Sequence, residues 1–207
     1  MMLCAVRDCS RFWQSMSMFK IIAVTNRKLC SGSLTDQAEI ICRRKPPQAI
    51  ILREKDLSSA EYGKLACNVL KVCRKYHVPL ILHSFWQWGI LLECSDIHLP
   101  LSLLQSAEFQ QQRHLFKHIG ASVHSMEEAR IAEAWGATYL SAGHIYETDC
   151  KQGIPGRGLA FLRQLCENTS LPVYAIGGVK LNGSQFKKLQ ACQAAGACIM
   201  SDYMLLK

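Results

Sequence analysis

From residue 19 onward, eight short apolar runs rich in branched residues alternate with longer segments of helical period, and this alternation is the strongest constraint on what the chain can fold into. The runs cover 19–24, 49–52, 78–82, 96–99, 118–123, 138–142, 173–176 and 197–201. Several are apolar throughout, as strands covered on both faces are. Strand and helix in strict alternation predict repeated βα units around a parallel sheet, and eight strands point to a closed α/β architecture, a compact (β/α)8 TIM barrel.

Between the runs, 58–76 carries apolar or small residues at Ala60, Leu65, Val69 and Val72, with Ser58 or Ser59 available to cap its start. Ser125 followed by Glu128 resembles a capping box that opens a helix over 126–135, and Gly136 closes it. A third helix is predicted over 181–193, ended by Gly196. Fewer than 190 residues for eight units lies at the lower end of the roughly 200 to 400 typical of such barrels. Some helices must then be short or missing, and the places expected are after 82 and after 99. Residues 1–17 fit neither a strand nor a long helix, and Met2, Met16 and Met18 leave room for a later translation start. They are read as a leader ahead of one barrel domain over 18–207.

Composition narrows the class. Hydrophobic residues make up 49% of the 207 and charged ones 19%, which argues against a disordered chain or a coiled coil. The longest mostly apolar stretch, 78–92, is too short to span a bilayer as a helix, and Arg7, Asp8 and Arg11 interrupt any export signal. The eleven cysteines are odd in number and form no C-x-x-C pair, so they are read as reduced cytosolic thiols. A formal charge of +8 favours anionic partners, yet the basic residues are dispersed, and no nucleic-acid motif accompanies them.

In a parallel barrel the site forms where the strands end, so the residues just after each strand are the candidates. After the second strand, Arg53 and Lys55 bracket Glu54 and suit an anionic ligand, with Asp56 as an alternative helix cap. His124 follows the fifth strand and is the candidate for proton transfer, because imidazole titrates within the physiological range. The sixth strand runs into a polar, glycine-rich loop over 143–158, suited to folding over a ligand, where Thr148 offers a hydroxyl and Lys151 a cation. Cys150, with no activating base in view, is read as an inert loop thiol. Gly177 and Gly178 end the seventh strand, with Met200 and Ser201 one strand later; glycines there let backbone N–H groups approach a phosphate.

Arg53-Glu54-Lys55-Asp56-Leu57-Ser58, Ser122-Val123-His124-Ser125-Met126-Glu127-Glu128-Ala129, Ala175-Ile176-Gly177-Gly178 and Met200-Ser201 together resemble the landmarks of the thiamine phosphate synthase superfamily of small (β/α)8 barrels. The resemblance spans residues 19 to 202. It implies one of two activities: a magnesium-dependent synthase that joins a thiazole phosphate to a pyrimidine diphosphate, or a TenI-type tautomerase that aromatises a newly made thiazole. In synthases the third strand typically ends Asn-Asp and the fourth is followed by a Gly-Gln-x-Asp loop; here those places hold His83-Ser84 and Leu99-Pro100-Leu101-Ser102. The loop from Gly143 through Thr148 and Lys151 to Gly158 resembles the tautomerase branch.

The resemblance therefore implies a cytoplasmic isomerase acting on a phosphorylated thiazole with His124 as its base and with no metal or cofactor. Gly177, Gly178 and Ser201 would hold the phosphate, and Arg53, Lys55 or Lys151 the carboxylate. Barrels of this kind often pair, so a homodimer is within expectation. Two alternatives stay open: a synthase with displaced metal ligands such as Asp96 or Glu93, and a non-catalytic regulatory or phosphate-binding protein. His83, Trp86 and Trp88 have no assigned role, with core packing the simpler expectation for the two tryptophans.

Overall fold

The eight runs pair in order, each parallel to the next, and the last closes on the first. This is a computed structural model; it describes residues 19–148, 151 and 153–207, and the leader segment 1–17 lies outside them. The strands are β1 (Lys20–Val24), β2 (Ala49–Leu52), β3 (Leu80–His83), β4 (Asp96–Pro100), β5 (His118–Val123), β6 (Tyr139–Gly143), β7 (Val173–Ile176) and β8 (Gly196–Ile199). Around them lie α1 (Leu34–Arg44), α2 (Ser59–Lys75), α3 (Trp86–Leu91), α4 (Leu101–Leu104), α5 (Ala107–Gln112), α6 (Met126–Ala134), α7 (Gly158–Glu167), α8 (Gly183–Ala191) and α9 (Ser201–Met204). Among the described residues no helix is long and apolar enough to cross a membrane.

Strand alternation sorts the core into two shells. Ala23, Ile50, Leu52, Leu82, Ile97 and Leu99 face outward and pack with Ile41, Tyr62, Val69, Phe109, Leu162 and Leu165 beneath the helices. Ile22, Val24, Ala49, Ile51, Ile81, Tyr139, Tyr174 and Cys198 fill the barrel interior. Each fully buried large aliphatic in either shell contributes about 1.5–3 kcal/mol relative to exposure. Asp96 accepts a 2.6 Å hydrogen bond from His118 Nδ1 at the amino end of the barrel, far from the strand ends that carry the site.

The helices after β3 and β4 are short, as the chain length demands. Trp86 in α3 sets its ring edge-on to Phe109 at 6.0 Å. Trp88 lies over Gly63, where a side chain would come within 2.1 Å of the indole, and it donates from Nε1 to the Ser59 carbonyl at 2.8 Å. Both tryptophans thus pack against neighbouring helices and not into the cavity.

Four sequence expectations change by more than one residue at an element's end. The third strand begins at Leu80 because Val78 closes α2: its N–H reaches the Cys73 carbonyl at 3.0 Å, with His77 at φ 56°. The eighth strand spans Gly196–Ile199, and Ser201 opens α9 instead of ending the strand. The helix expected from 181 starts at Gly183 with Asn182 as its cap, because the Leu181 N–H is taken by Asp202 Oδ2 at 2.7 Å. Ser58 caps α2 in a capping box with Glu61, so Asp56 has no capping role and pairs instead with Arg27 and Lys28.

Candidate active site

A cavity of about 1390 Å³ opens at the carboxyl ends of the strands. Arg53, Lys55, His124, Thr148, Lys151, Gly177, Gly178, Met200 and Ser201 all line it, so the fold brings every sequence-derived candidate to one mouth. Cys150 lies outside the described residues.

His124 follows the last residue of β5 on the strand's inward side. Its Nδ1 lies 2.8 Å from the carbonyl of Gly143, the last residue of β6. A carbonyl oxygen only accepts, so Nδ1 carries a proton, and in the neutral imidazole the lone pair is on Nε2. The same carbonyl accepts from Arg157 Nε at 3.1 Å. The backbone of His124 is held as well. Ser125 Oγ accepts from the Glu128 N–H at 3.0 Å, while the Glu128 carboxylate reaches back to the His124 N–H and not to the cap residue's own, as a standard capping box would have it.

The turn after β7 is set by conformation. Gly177 has φ 92° and Gly178 φ 67°, and a side chain on either would strike the loop after β6: within 2.2 Å of His144 Cβ for Gly177 and 2.3 Å of the Glu147 carbonyl for Gly178. Asp202, beside Ser201, accepts from the Leu181 N–H and lies 3.4 Å from Lys180 Nζ, tying the loop after β7 to α9.

Across the mouth, Arg53 and Lys55 alternate with a Glu54 that points elsewhere. Glu54 is buried and accepts from Thr25 Oγ1 at 2.7 Å and from Arg27 Nη1 at 3.1 Å. Thr25 Oγ1 in turn accepts from the Arg53 N–H at 2.9 Å, so a buried carboxylate fixes the backbone that carries the cation. Burial first, then Arg53 and Lys151, hold the Lys55 ammonium below its ordinary pKa. The proximity of these positive groups favours an anion between them.

The loop after β6 is a fixed wall at both ends. Ile145 and Tyr146 donate to the Ile176 and Gly177 carbonyls at 2.9 and 3.0 Å, and Arg157 and Gly158 return to the His144 and Ile145 carbonyls at 2.8 and 3.0 Å. His144 Nε2 donates to Ile154 O at 3.1 Å.

Among the described residues the cavity offers one uncommitted carboxylate, Glu147, to the magnesium ion that the resemblance would bring. Glu128 and Glu147 are the carboxylates among the described lining residues, and Glu128 is committed to the His124 N–H. Magnesium favours one or two free carboxylates in near-octahedral array. Among the described residues no three His, Cys, Asp or Glu side chains come together as a metal site. Where synthases carry Asn-Asp, Ser84 Oγ sits 2.7 Å from His83 Nδ1 outside the cavity, and Pro100, Leu101 and Ser102 form the adjoining wall. Asp96 is spent on His118 at the opposite end, which removes it as a displaced ligand.

Sequence reasoning gave no role to Ser122, though it lies in a quoted landmark, and missed Ser141 and His98. Ser122 and Ser141 line the cavity floor, and His98 Nε2 lies 3.0 and 3.1 Å from their oxygens. The available signal was a polar residue at an inward position of an otherwise apolar strand.

Residues 21–203 match the family described as Thiamine monophosphate synthase, TMP-TENI. The chain is 32% identical over 161 residues to a thiamine-phosphate synthase of Caldanaerobacter subterraneus, covering 78% of this chain and 75% of the relative. It is 30% identical over 183 residues to that of Clostridium beijerinckii, covering 88% and 87%. Among solved structures, a thiamine phosphate pyrophosphorylase from Pyrococcus furiosus superposes with a TM-score of 0.73 at 25% identity, covering 90% of this chain and 87% of that one.

Proposed function

The chain belongs to the TMP-TENI family, and from that premise we propose that it is the tautomerase kind of member: an isomerase that aromatises a carboxythiazole ylidene ethyl phosphate by moving one proton. The observation that carries this reading is the His124 imidazole, fixed through Nδ1 to the Gly143 carbonyl and lining a cavity that it shares with Arg53, Lys55, Lys151, Gly177, Gly178 and Ser201.

The chemistry follows from those groups. Gly177, Gly178 and Ser201 bind the phosphate tail through backbone and hydroxyl donors, and Arg53, Lys55 or Lys151 meets the carboxylate, so the ring lies between two anion sites. His124 Nε2 takes the proton from the ring carbon beside the carboxylate. The imidazolium that forms is stabilised by its Nδ1–H bond to Gly143 O. The same nitrogen returns the proton to the exocyclic carbon, which leaves the enzyme unchanged and the ring aromatic. Positioned acid–base catalysis of this kind is typically worth about 10²- to 10⁴-fold.

The names of the relatives support a second reading, a synthase that condenses a thiazole phosphate with a pyrimidine diphosphate. The mouth has room for a larger ligand, and among the described residues Glu147 is the one lining carboxylate left to support a magnesium-assisted departure of diphosphate. One pair of assays separates the two. Thiazole aromatisation followed spectrophotometrically should proceed at the same rate with and without a chelator; formation of thiamine phosphate from the two phosphorylated halves, with no aromatisation, would replace the tautomerase with the synthase.

A further inference from the structure

Beneath His124 the barrel interior turns polar where an aliphatic layer would be the ordinary filling. Ser122 lies two residues before His124 on β5, Ser141 two residues before Gly143 on β6, and the two serines are register partners. The Ser141 hydroxyl donates to Ser122 Oγ at 3.4 Å, and both serines line the cavity. His98, on the inward face of β4 and buried, sits behind them: its Nε2 is 3.0 Å from Ser122 Oγ and 3.1 Å from Ser141 Oγ, and its Nδ1 is 3.1 Å from Tyr139 Oη.

We propose that His98 is a positioning residue whose Nε2–H donates to both serine oxygens, so that the Ser141 hydroxyl donates on to Ser122 and the Ser122 hydroxyl proton is turned toward the ligand. There it donates a hydrogen bond to the negative charge that spreads onto the heterocycle as His124 removes the proton. This rests on the tautomerase reading.

Three observations support it. A phenol is a stronger acid than an aliphatic hydroxyl, so Tyr139 is the natural donor to Nδ1, which leaves the single imidazole proton on Nε2, between the serines. The contact is provided for in the backbone: a Cβ on Gly120 would lie 2.3 Å from His98 Nδ1 and 2.4 Å from Tyr139 Oη, so glycine at this strand position keeps the pair together. Burial, then Lys55 and Arg53, lower the His98 pKa to about 3, and the neutral ring gives the floor hydrogen-bond direction without charge. Donors prearranged where charge develops are typically worth about 10²- to 10³-fold each in kcat.

The test is a cycle of variants assayed for aromatisation, with product binding measured separately. His98→Leu should lower kcat roughly 10- to 100-fold while KM and product Kd stay within about twofold. His98→Gln, whose amide N–H replaces Nε2–H, should restore most of the loss, and His98→Leu should cost nothing further in an S122A/S141A background. Full activity of His98→Leu, or an equal further loss without the serines, overturns the proposal. Nitrogen-15 spectra of the imidazoles at pH 7 give a readout independent of turnover: His98 protonated on Nε2 supports the proposal, and a proton on Nδ1 overturns it. A wild-type protein that does not aromatise the thiazole refutes the parent reading, and the spectra then decide the tautomer alone.

Discussion

His124 and Gly143 meet through a 2.8 Å hydrogen bond from imidazole Nδ1 to main-chain carbonyl, and that contact decides which nitrogen faces the cavity. Gly143 ends β6 and His124 follows β5, so neighbouring strands hold the base in one tautomer. The orientation needs no additional acidic residue.

His124→Gln keeps a hydrogen-bonding side chain and removes the base. It should lower kcat for aromatisation by at least about 10²-fold, with product affinity measured by calorimetry unchanged. Full turnover in this variant would take His124 out of the mechanism.

Glu128 anchors the His124 N–H from α6. Glu128→Ala should leave that N–H without its partner and destabilise the protein by about 1–2 kcal/mol in urea titrations. A fall in kcat with little change in KM should accompany it, because the base loses its placement while the anion sites are untouched. Glu128→Gln should recover most of both effects.

Gly178 adopts φ 67°, and a Cβ there would lie 2.3 Å from the Glu147 carbonyl oxygen, which belongs to backbone and cannot swing aside. Gly178→Ala should weaken binding of the phosphorylated product by tenfold or more in calorimetry. Undiminished affinity would place the phosphate elsewhere in the cavity.

His98 offers a test by pH. Its pKa is lowered to about 3 by burial, whereas an unfolded histidine titrates near 6.5. Between those values the unfolded chain binds more protons, so stability is full above about pH 6.5 and is lost as pH falls toward 3. The effect is on the order of a few kcal/mol. Buried His83, also held below its ordinary pKa by burial, adds in the same direction. Urea titrations at pH 7.5 and pH 5 should show wild type losing more stability than His98→Gln; equal losses would mean that His98 is not buried neutral.

Local pattern carried much of the architecture. The fifth and seventh strands match their expected bounds, and the short helices after β3 and β4 follow from chain length alone. Where the reading slipped, a residue compatible with two roles had been claimed by a distant partner or by the neighbouring element. Val78 is apolar enough for a strand but closes α2, and Leu181 fits a helix but lends its N–H to Asp202. Asp56 has the chemistry of a cap but lies beside Arg27 and Lys28, which hold its carboxyl well below the usual range.

What the amino-acid sequence determined by itself was the number, order and parallel sense of the strands, and with them the end of the barrel where ligands bind. Periodicity and punctuation are local properties, and position after a strand is enough to nominate His124, Gly177 and Ser201. Only the tertiary structure decided which polar groups meet. Closure brings Arg53, Lys55, Lys151 and Lys180 to one mouth from distant parts of a chain whose basic residues look dispersed in sequence. It also sets His98 behind Ser122 and Ser141, from three different strands. Side-chain hydrogen bonds act over about 3 Å, so their partners depend on strand register and barrel closure, which are written in no single segment.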